Sequence, residues 1–185
     1  MDRIGQAFTK FDRVNFIPNE AKPMAQVDAP VPIGYGQTNS QPTTVEMMLE
    51  WLDVQPGDKV LDVGSGSGWT TALLSYLAGP KGEIYAVELV PELVEFGREN
   101  AERAGVKNAK FYQAGDQFGL PERAPFDRIL VSASADKLPQ VLIDQLKPGG
   151  KLVVPVHNDI LEVIKDTNGK THTKTHPGFV FVPLI

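Results

Sequence analysis

The 185-residue sequence contains no cysteine, and this absence excludes a disulfide framework, a catalytic thiolate and a cysteine-based zinc site. It has no run that approaches the roughly 20 apolar residues of a membrane helix, and it does not begin with the apolar segment of a signal peptide. Lysine and arginine occur singly in a chain of net charge −5, which disfavours a polyanionic partner. These absences favour a cytoplasmic protein that binds neither membrane nor nucleic acid, and we expect it to be a monomer.

Composition and length are those of one globular domain, because 42% of the residues are hydrophobic and 22% are charged. The first thirty or so residues contain several prolines and little periodicity beyond a possible short helix over residues 4–11. Such a segment is either a poorly ordered arm or an irregular segment packed over a functional site. We expect residues 1–42 to form an arm and acceptor loop packed on a core of residues 43–185.

From Lys59 onward, short apolar strands alternate with helical segments, which predicts a parallel sheet with helices on both faces. The tail differs, because L-E-V-I-K-D and F-V-F-V-P-L flank the turn T-N-G-K and predict an antiparallel pair at the sheet edge. The fold class is therefore α/β, a doubly wound, mostly parallel Rossmann-like sheet with an antiparallel C-terminal strand pair. The predicted strands are 59–63, 83–88, 109–113, 126–133 and 151–156, and the predicted helices are 69–78, 91–105 and 138–146.

The segment V-L-D-V-G-S-G-S-G-W predicts a strand, a glycine loop and a helix in direct succession. Gly64, Gly66 and Gly68 allow a ligand to approach the backbone, and the first turn of the helix offers free N–H groups. In an open parallel sheet, ligands bind beyond the carboxyl ends of strands, where the strand order reverses. The predicted ligand site is therefore this loop, with Ser65 between its glycines and Asp62 in the strand before it.

Carboxylates near three strand ends indicate which ligand fits. Asp62 precedes the glycines, Glu88 ends the second strand, and Asp116 follows the third. A dinucleotide fingerprint has the different spacing G-x-G-x-x-G, and a carboxylate at position 62 would repel a diphosphate. A nucleoside that carries a cationic sulfonium suits these acids better, with its ribose at Glu88 and its adenine near Gly115 and Asp116. The alternative is that the acids only cap helices or turns.

This order of signals, over roughly residues 45–156, resembles the class I S-adenosylmethionine-dependent methyltransferases. The resemblance implies S-adenosyl-L-methionine as the cofactor and S-adenosyl-L-homocysteine as the product. It implies that Glu88 holds the ribose and that Gly115 and Asp116 lie at the adenine. The residues implied at the methionine end are Asp62, Gly64, Ser65, Gly66 and Gly68.

Three segments outside the glycine loop form a more specific pattern: G-Q-T-N-S-Q-P, D-R-V-N-F-I-P and the terminal F-V-P-L. They resemble the G-Q-T-I-S-Q-P, R-x-x-F-x-P and C-terminal blocks of the protein-L-isoaspartate O-methyltransferases. The resemblance implies methyl transfer to the carboxylate of L-isoaspartyl residues in damaged proteins, which starts their repair through a succinimide. It implies that Ser40 is catalytic at the acceptor carboxylate, with Thr38 as its helper and Gln37 beside them at the cofactor.

The sequence differs from that family's pattern where Asn39 replaces an apolar residue and where Gln117 and His157 replace glycines. Two other interpretations of the chain stay open. One is a methyltransferase for another acceptor, such as tRNA adenine, and the other is a non-catalytic relative that binds the cofactor. Ser40 also has an alternative role, as the N-terminal cap of the helix that follows Pro42.

The histidines of T-H-T-K-T-H do not predict a metal site. His172 and His176 share one face of an alternating strand segment with Lys174, and no further ligand is obvious nearby. We therefore predict no metal.

Overall fold

Strands and helices alternate along the chain in the computed structural model, which describes residues 2–184. The predicted arm begins at Met1 and the predicted core ends at Ile185, and these two residues lie outside the described residues. The helices are α1 (Arg3–Lys10), α2 (Pro42–Leu52), α3 (Trp69–Ala78), α4 (Pro91–Arg103) and α5 (Gln140–Asp144). The strands are β1 (Val31–Gly34), β2 (Gln37–Asn39), β3 (Lys59–Val63), β4 (Glu83–Glu88), β5 (Ala109–Gln113), β6 (Phe126–Val131), β7 (Leu146–Val156), β8 (Asp159–Lys165) and β9 (Thr171–Pro177).

The main sheet has the strand order β5-β4-β3-β6-β7-β8-β9, while β1 and β2 form a separate hairpin. Pairing is parallel from β5 to β7 and antiparallel for β8 and β9. The chain enters the sheet at β3, moves outward to β5 and returns to the other side of β3 with β6. The strand order therefore reverses between β3 and β6. This topology confirms the predicted doubly wound, mostly parallel α/β sheet with its antiparallel C-terminal pair.

Apolar side chains cover both faces of the central strands, because other elements pack against each face. In β3, Val60 packs in one cluster with α1, α2 and α3, whereas Leu61 packs in the other cluster with α5. α4 contacts α3 and covers β4 and β5. Every residue of β3 after Lys59 is buried. A carboxylate within this strand, at Asp62, is therefore not explained by the packing.

Residues of the segment before β1 pack on the face of the sheet that α2 and α3 cover. Asp2 is the N-cap of α1, and its carboxylate accepts a hydrogen bond from the Gly5 N–H at 2.7 Å. Phe11 and Phe16 are buried in the cluster that contains α2 and α3, and Arg13 is only 3% exposed. This packing holds the β1–β2 hairpin beside the carboxyl ends of the central strands.

Element boundaries differ from the sequence prediction on both sides of the K-P-G-G segment. The helix predicted over residues 138–146 is only the short α5, and β7 begins at Leu146 rather than at Lys151. Leu146, the last residue of the predicted helix, instead pairs with Phe126 in β6. β6 also ends before residue 133, because the chain leaves the sheet after Val131.

The predicted partner of β8 is wrong, because the F-V-F-V-P-L segment does not form β9. β9 is T-H-T-K-T-H-P, which directly follows the T-N-G-K turn. Asp166 closes this turn by accepting hydrogen bonds from the N–H groups of Asn168 and Lys170 at 2.8 and 2.9 Å, so the next residues pair with β8. The F-V-F-V-P-L segment instead returns to the carboxyl edge of the sheet, where the Ser134 N–H donates to the Val182 carbonyl at 2.7 Å.

Replacing Gly68 by Ala should destabilise the fold more than the same change at Gly57. Both glycines have left-handed backbone, with φ 80° and 92°, so each variant loses about 1–2 kcal/mol from the backbone alone. A Cβ at Gly68 would also lie 2.6 Å from the Gly97 carbonyl oxygen in α4, whereas a Cβ at Gly57 would meet nothing within 4 Å beyond its chain neighbours. Urea denaturation should show a loss for G68A that is larger by at least about 1 kcal/mol. Equal losses would contradict close packing of the glycine loop on α4.

Candidate active site

A cavity of about 260 Å³ opens at the carboxyl ends of β3, β4, β5 and β6, where the strand order reverses. Its walls are the β1–β2 hairpin, the glycine loop, the segments that follow β4, β5 and β6, and the returning tail. The structure therefore brings the predicted acceptor loop and the predicted cofactor loop into one cavity. The site residues predicted from the sequence that line it are Gln37, Thr38, Ser40, Gly64, Ser65, Gly66, Glu88, Gly115 and Asp116.

Two predicted site residues lie behind the cavity wall rather than in it. Gly68 packs against Gly97 of α4, so its role is to let the loop and the helix approach each other. Asp62 is 0% exposed beneath the glycine loop. The hydroxyls of Thr70 and Thr71, in the first turn of α3, donate to its Oδ2 at 3.0 and 2.7 Å. These bonds fix the carboxylate at the junction of β3 and α3.

The Asp62 carboxylate is only partly satisfied. Its Oδ1 is buried and has no hydrogen-bond partner among the described residues. Burial raises the pKa of Asp62 from 3.8 to about 6, the two threonine hydroxyls lower it, and the Glu88 carboxylate raises it. A buried, half-satisfied carboxylate is costly unless a ligand completes its hydrogen bonds.

Ser65 supplies a second buried polar atom without a partner. Its side chain is 4% exposed and lines the cavity, and its Oγ has no hydrogen-bond partner among the described residues. Ser65 Oγ and Asp62 Oδ1 belong to consecutive parts of one strand and loop, so they suit the same part of a ligand. An ammonium group, which carries several donors and a positive charge, fits this pair of acceptors.

Glu88 joins the glycine loop to the start of α4. The carboxylate is 7% exposed, and its Oε2 accepts a hydrogen bond from the Gly66 N–H at 2.9 Å. Its Oε1 accepts a hydrogen bond from the Val90 N–H at 3.0 Å. A carboxylate oxygen can accept more than one hydrogen bond, so both oxygens retain the capacity to accept from a pair of ligand hydroxyls.

The segment after β5 forms the outer part of the cavity. Gly115, Asp116 and Gln117 are exposed and line the cavity together with Phe118, which is 43% exposed. Gln117, which differs from the family pattern, thus lies at the mouth. The Asp116 carboxylate and the Phe118 ring could therefore contact a flat polar group of a ligand.

Ser40 is half-buried in the cavity wall, and it does not cap α2. The N-cap position is Gln41, which makes no side-chain cap bond. Asp28, from the arm, accepts hydrogen bonds at this helix start from the Thr43 N–H at 3.0 Å and the Thr43 hydroxyl at 2.8 Å. The Thr43 backbone N–H is the main reason that the pKa of Asp28 is lowered. A residue of the arm therefore satisfies the start of α2, and the cap interpretation of Ser40 is wrong.

Several residues that shape the site were not predicted from the sequence. Residues 182–184 form one wall of the cavity, and Ser67 lines it within the glycine loop. Asn39 is 5% exposed and hydrogen-bonds to Ser67. The resemblance of F-V-P-L to a family block was the only sequence signal for the tail. No local pattern links Asp28 to Thr43 or Asn39 to Ser67, because each pair meets only in the folded chain.

The histidines lie away from the cavity walls. His157 has φ 53° in the turn after β7, and its carbonyl accepts a hydrogen bond from the Ser134 hydroxyl at 3.1 Å. His176 stacks on Trp51 with 3.7 Å between ring centroids and lies 3.3 Å from a Glu162 oxygen. Within residues 2–184, no three histidine, aspartate or glutamate side chains are grouped to hold a metal ion. In the same residues, no helix has the length and apolarity needed to span a membrane.

Fold and site together define the class of the protein. The doubly wound sheet has a cavity at its carboxyl edge, and the glycine loop and strand-end carboxylates lie beside this cavity. This arrangement is that of the class I S-adenosyl-L-methionine-dependent methyltransferases. The sequence model of the family described as protein-L-isoaspartate(D-aspartate) O-methyltransferase (PCMT) matches residues 1–185. The chain belongs to this family, and its cofactor is S-adenosyl-L-methionine.

Individual relatives agree with this assignment. The protein-L-isoaspartate O-methyltransferase of Pyrococcus horikoshii is 46% identical over 189 residues, which cover 100% of this chain and 85% of the relative. The enzyme of the same name from Thermococcus onnurineus is 46% identical over 190 residues, with 100% and 86% covered. A crystal structure of the corresponding Plasmodium falciparum protein with S-adenosyl-L-homocysteine matches with a TM-score of 0.88 at 28% identity, covering 100% of this chain and 91% of that chain.

Replacing Asp62 by Asn should stabilise the ligand-free protein while weakening cofactor binding. Because folding raises this pKa from 3.8 to about 6, the unfolded chain releases the proton first, and stability falls as the pH rises through this window. Above pH 6 the wild type should be less stable than D62N by up to about 3 kcal/mol, whereas below pH 3.8 this advantage should be absent. Urea denaturation at pH 7 and pH 3.5 measures the difference.

The same variant should bind S-adenosyl-L-homocysteine at least about 10-fold more weakly in calorimetry at pH 7, because a charged acceptor is lost. A D62N protein that is no more stable than wild type at pH 7 would contradict the strained-carboxylate interpretation. Unchanged affinity would remove Asp62 from cofactor binding.

Proposed function

We propose that the chain transfers a methyl group from S-adenosyl-L-methionine to the carboxylate of L-isoaspartyl residues in damaged proteins, with Ser40 orienting the acceptor. The observation that carries the proposal is that Ser40 and Thr38 line the same cavity as the glycine loop and Glu88. The glycine loop and the strand ends would bind the cofactor, and the β1–β2 hairpin would bind the acceptor. The two reacting groups would therefore meet inside one cavity.

The residues of the chain fit the cofactor. When bound, S-adenosyl-L-methionine supplies an electrophilic methyl group on a cationic sulfonium. Ser65 Oγ, which is buried without a partner among the described residues, would accept from the ammonium of the methionine end. The Asp62 carboxylate, directly behind this part of the wall, would attract the same ammonium by its negative charge. Glu88 would accept from the ribose hydroxyls, and Asp116, beside Gly115, would lie at the adenine. Gln37 would lie between the cofactor and the acceptor.

The acceptor side needs little acid–base chemistry. A free carboxylate, whose ordinary pKa is about 4, is already ionised at neutral pH, so no general base is required. What the site must supply is alignment of the acceptor oxygen with the transferred methyl group, and exclusion of water from two charges that neutralise each other. The neutral Ser40 hydroxyl donates one hydrogen bond to the carboxylate. It orients the acceptor without the strong ground-state stabilisation that an arginine would give.

We also propose that the protein is a monomer, acts in the cytoplasm and binds no nucleic acid. A net charge of −5 opposes binding to a polyanion such as tRNA. The absence of cysteine is compatible with a reducing compartment. Gel filtration at assay concentration tests the oligomeric state.

The purified chain should methylate a peptide that contains L-isoaspartate and should leave its normal-aspartate counterpart unlabelled. The two peptides have the same composition and charge, so the comparison isolates the geometry of the acceptor carboxylate. Incorporation of labelled methyl groups from S-adenosyl-L-methionine measures the activity, and total tRNA serves as a third acceptor. Label only in tRNA would refute the proposed acceptor, and binding of cofactor without any labelling would indicate a non-catalytic relative.

Replacing Ser40 by Ala should lower kcat for the isoaspartyl peptide about 100-fold, because the acceptor carboxylate loses its alignment. Affinity for S-adenosyl-L-homocysteine should stay within about 3-fold of wild type in calorimetry, since Ser40 belongs to the acceptor hairpin. Ser134→Ala is the matched control, because its hydroxyl donates to the His157 carbonyl at 3.1 Å and does not line the cavity. An S40A enzyme with wild-type turnover would exclude Ser40 from the mechanism.

A further inference from the structure

Asn39 occupies an unusual place in the acceptor hairpin, between the two residues assigned to the acceptor. Its side chain is 5% exposed, and both of its polar atoms have partners. Oδ1 accepts a hydrogen bond from Arg13 Nε at 2.7 Å, and Nδ2 donates to Ser67 Oγ at 2.9 Å. The amide therefore connects the N-terminal arm, the acceptor hairpin and the glycine loop.

Arg13 fixes the orientation of this amide. Arg13 is 3% exposed, and the other hydrogen bonds of its guanidinium go to the carbonyls of Val27, Ala29 and Asn39 at 3.0, 2.7 and 3.0 Å. Burial lowers the pKa of Arg13, while Asp28 raises it. Arg13 can only donate, so the Asn39 oxygen faces it and the Asn39 NH₂ group faces the glycine loop.

Ser67 receives the other end of the connection. It lies between Gly66 and Gly68, its side chain is 3% exposed, and it lines the cavity. Its carbonyl accepts a hydrogen bond from Asn100 Nδ2 of α4 at 3.0 Å. The residue is thus held by α4 through its backbone and by the acceptor hairpin through its side chain.

We propose that Asn39 is a positioning residue that sets the separation between the acceptor hydroxyl of Ser40 and the cofactor loop. The proposal rests on the function proposed above. Ser40 follows Asn39 directly in the chain, and Ser65 lies two residues before Ser67. A displacement of the amide therefore moves the acceptor side relative to the cofactor side, and rate is sensitive to such displacement.

The chemistry of the amide explains why this position needs a polar side chain in this protein. A leucine has a similar volume but would leave the buried Arg13 Nε and the Ser67 hydroxyl without partners, which is costly. An aspartate could accept from Arg13 and also from the Ser67 hydroxyl, because a hydroxyl can reverse its role and donate. The order of activity among substitutions is therefore predicted by hydrogen bonding and not by size or apolarity.

The test compares Asn39→Leu, Asn39→Asp and Ser67→Ala with the wild type, using the isoaspartyl peptide. Asn39→Leu should lower kcat about 10- to 100-fold, and Ser67→Ala about 5-fold, because both delete the connection. Asn39→Asp should recover kcat to within about 3-fold of wild type, because it can keep both contacts. The double variant Asn39→Leu/Ser67→Ala should fall little below Asn39→Leu alone, since both changes remove one shared link.

A binding measurement separates positioning from loss of the cofactor site. Calorimetry with S-adenosyl-L-homocysteine should give dissociation constants within about 3-fold of wild type for Asn39→Leu and Asn39→Asp, while the loss in Asn39→Leu appears in kcat. Asn108→Leu is the matched control for lost buried hydrogen bonds. Its Nδ2 donates to the carbonyls of Gly79 and Gly82 at 2.9 and 3.0 Å, at the opposite end of the sheet. Asn108→Leu should lower the thermal stability but keep kcat within about 2-fold of wild type.

The outcomes distinguish this proposal from the proposed function. An inactive wild type refutes the function. An active wild type with unchanged kcat in folded Asn39→Leu refutes the positioning role, and so does an Asn39→Asp variant less active than Asn39→Leu. If Asn39→Leu does not fold, Ser67→Ala decides, and its wild-type kcat would overturn the proposal.

Discussion

The site depends on one costly interaction, the burial of the Asp62 carboxylate beneath the glycine loop. Desolvation raises its pKa to about 6, and two threonine hydroxyls satisfy only one of its oxygens. Asp62 Oδ1 keeps no partner among the described residues, so the carboxylate suits a bound group that is positive or rich in donors. The central strand therefore carries a destabilising group directly beneath the glycine loop.

The second half of the site is built by residues that precede the sheet. Asp28 satisfies the start of α2 through Thr43, and Arg13 holds the hairpin through Asn39. These contacts leave Ser40 free to line the cavity instead of capping a helix. The arm therefore does more than cover the core, because it holds the hairpin that carries Ser40 at the cavity shared with the glycine loop.

The regular elements were predictable where local signals agreed. β3, α3, β4 and β5 have the predicted bounds because apolar runs, glycines and prolines mark both of their ends. Prediction failed where two segments could compete for one place. F-V-F-V-P-L has strong strand character, yet T-H-T-K-T-H-P pairs with β8 because the tight turn at Asp166 brings it there first. α5 was predicted too long, because its apolar pattern does not reveal that Leu146 pairs with Phe126.

The sequence by itself determined the sheet, the glycine loop and the strand-end carboxylates, because the carboxyl ends of parallel strands always meet at one edge. Its resemblance to a known family also led to the prediction that Thr38 and Ser40 bind the acceptor. Only the tertiary structure decided which predicted residues face the cavity, placing Asp62 and Gly68 behind its wall. It also decided that Asn39 would join the arm to the glycine loop. The partners of Asn39, which are Arg13 and Ser67, lie 26 and 28 residues from it in the chain. No local sequence pattern encodes a hydrogen bond that forms only when distant segments pack.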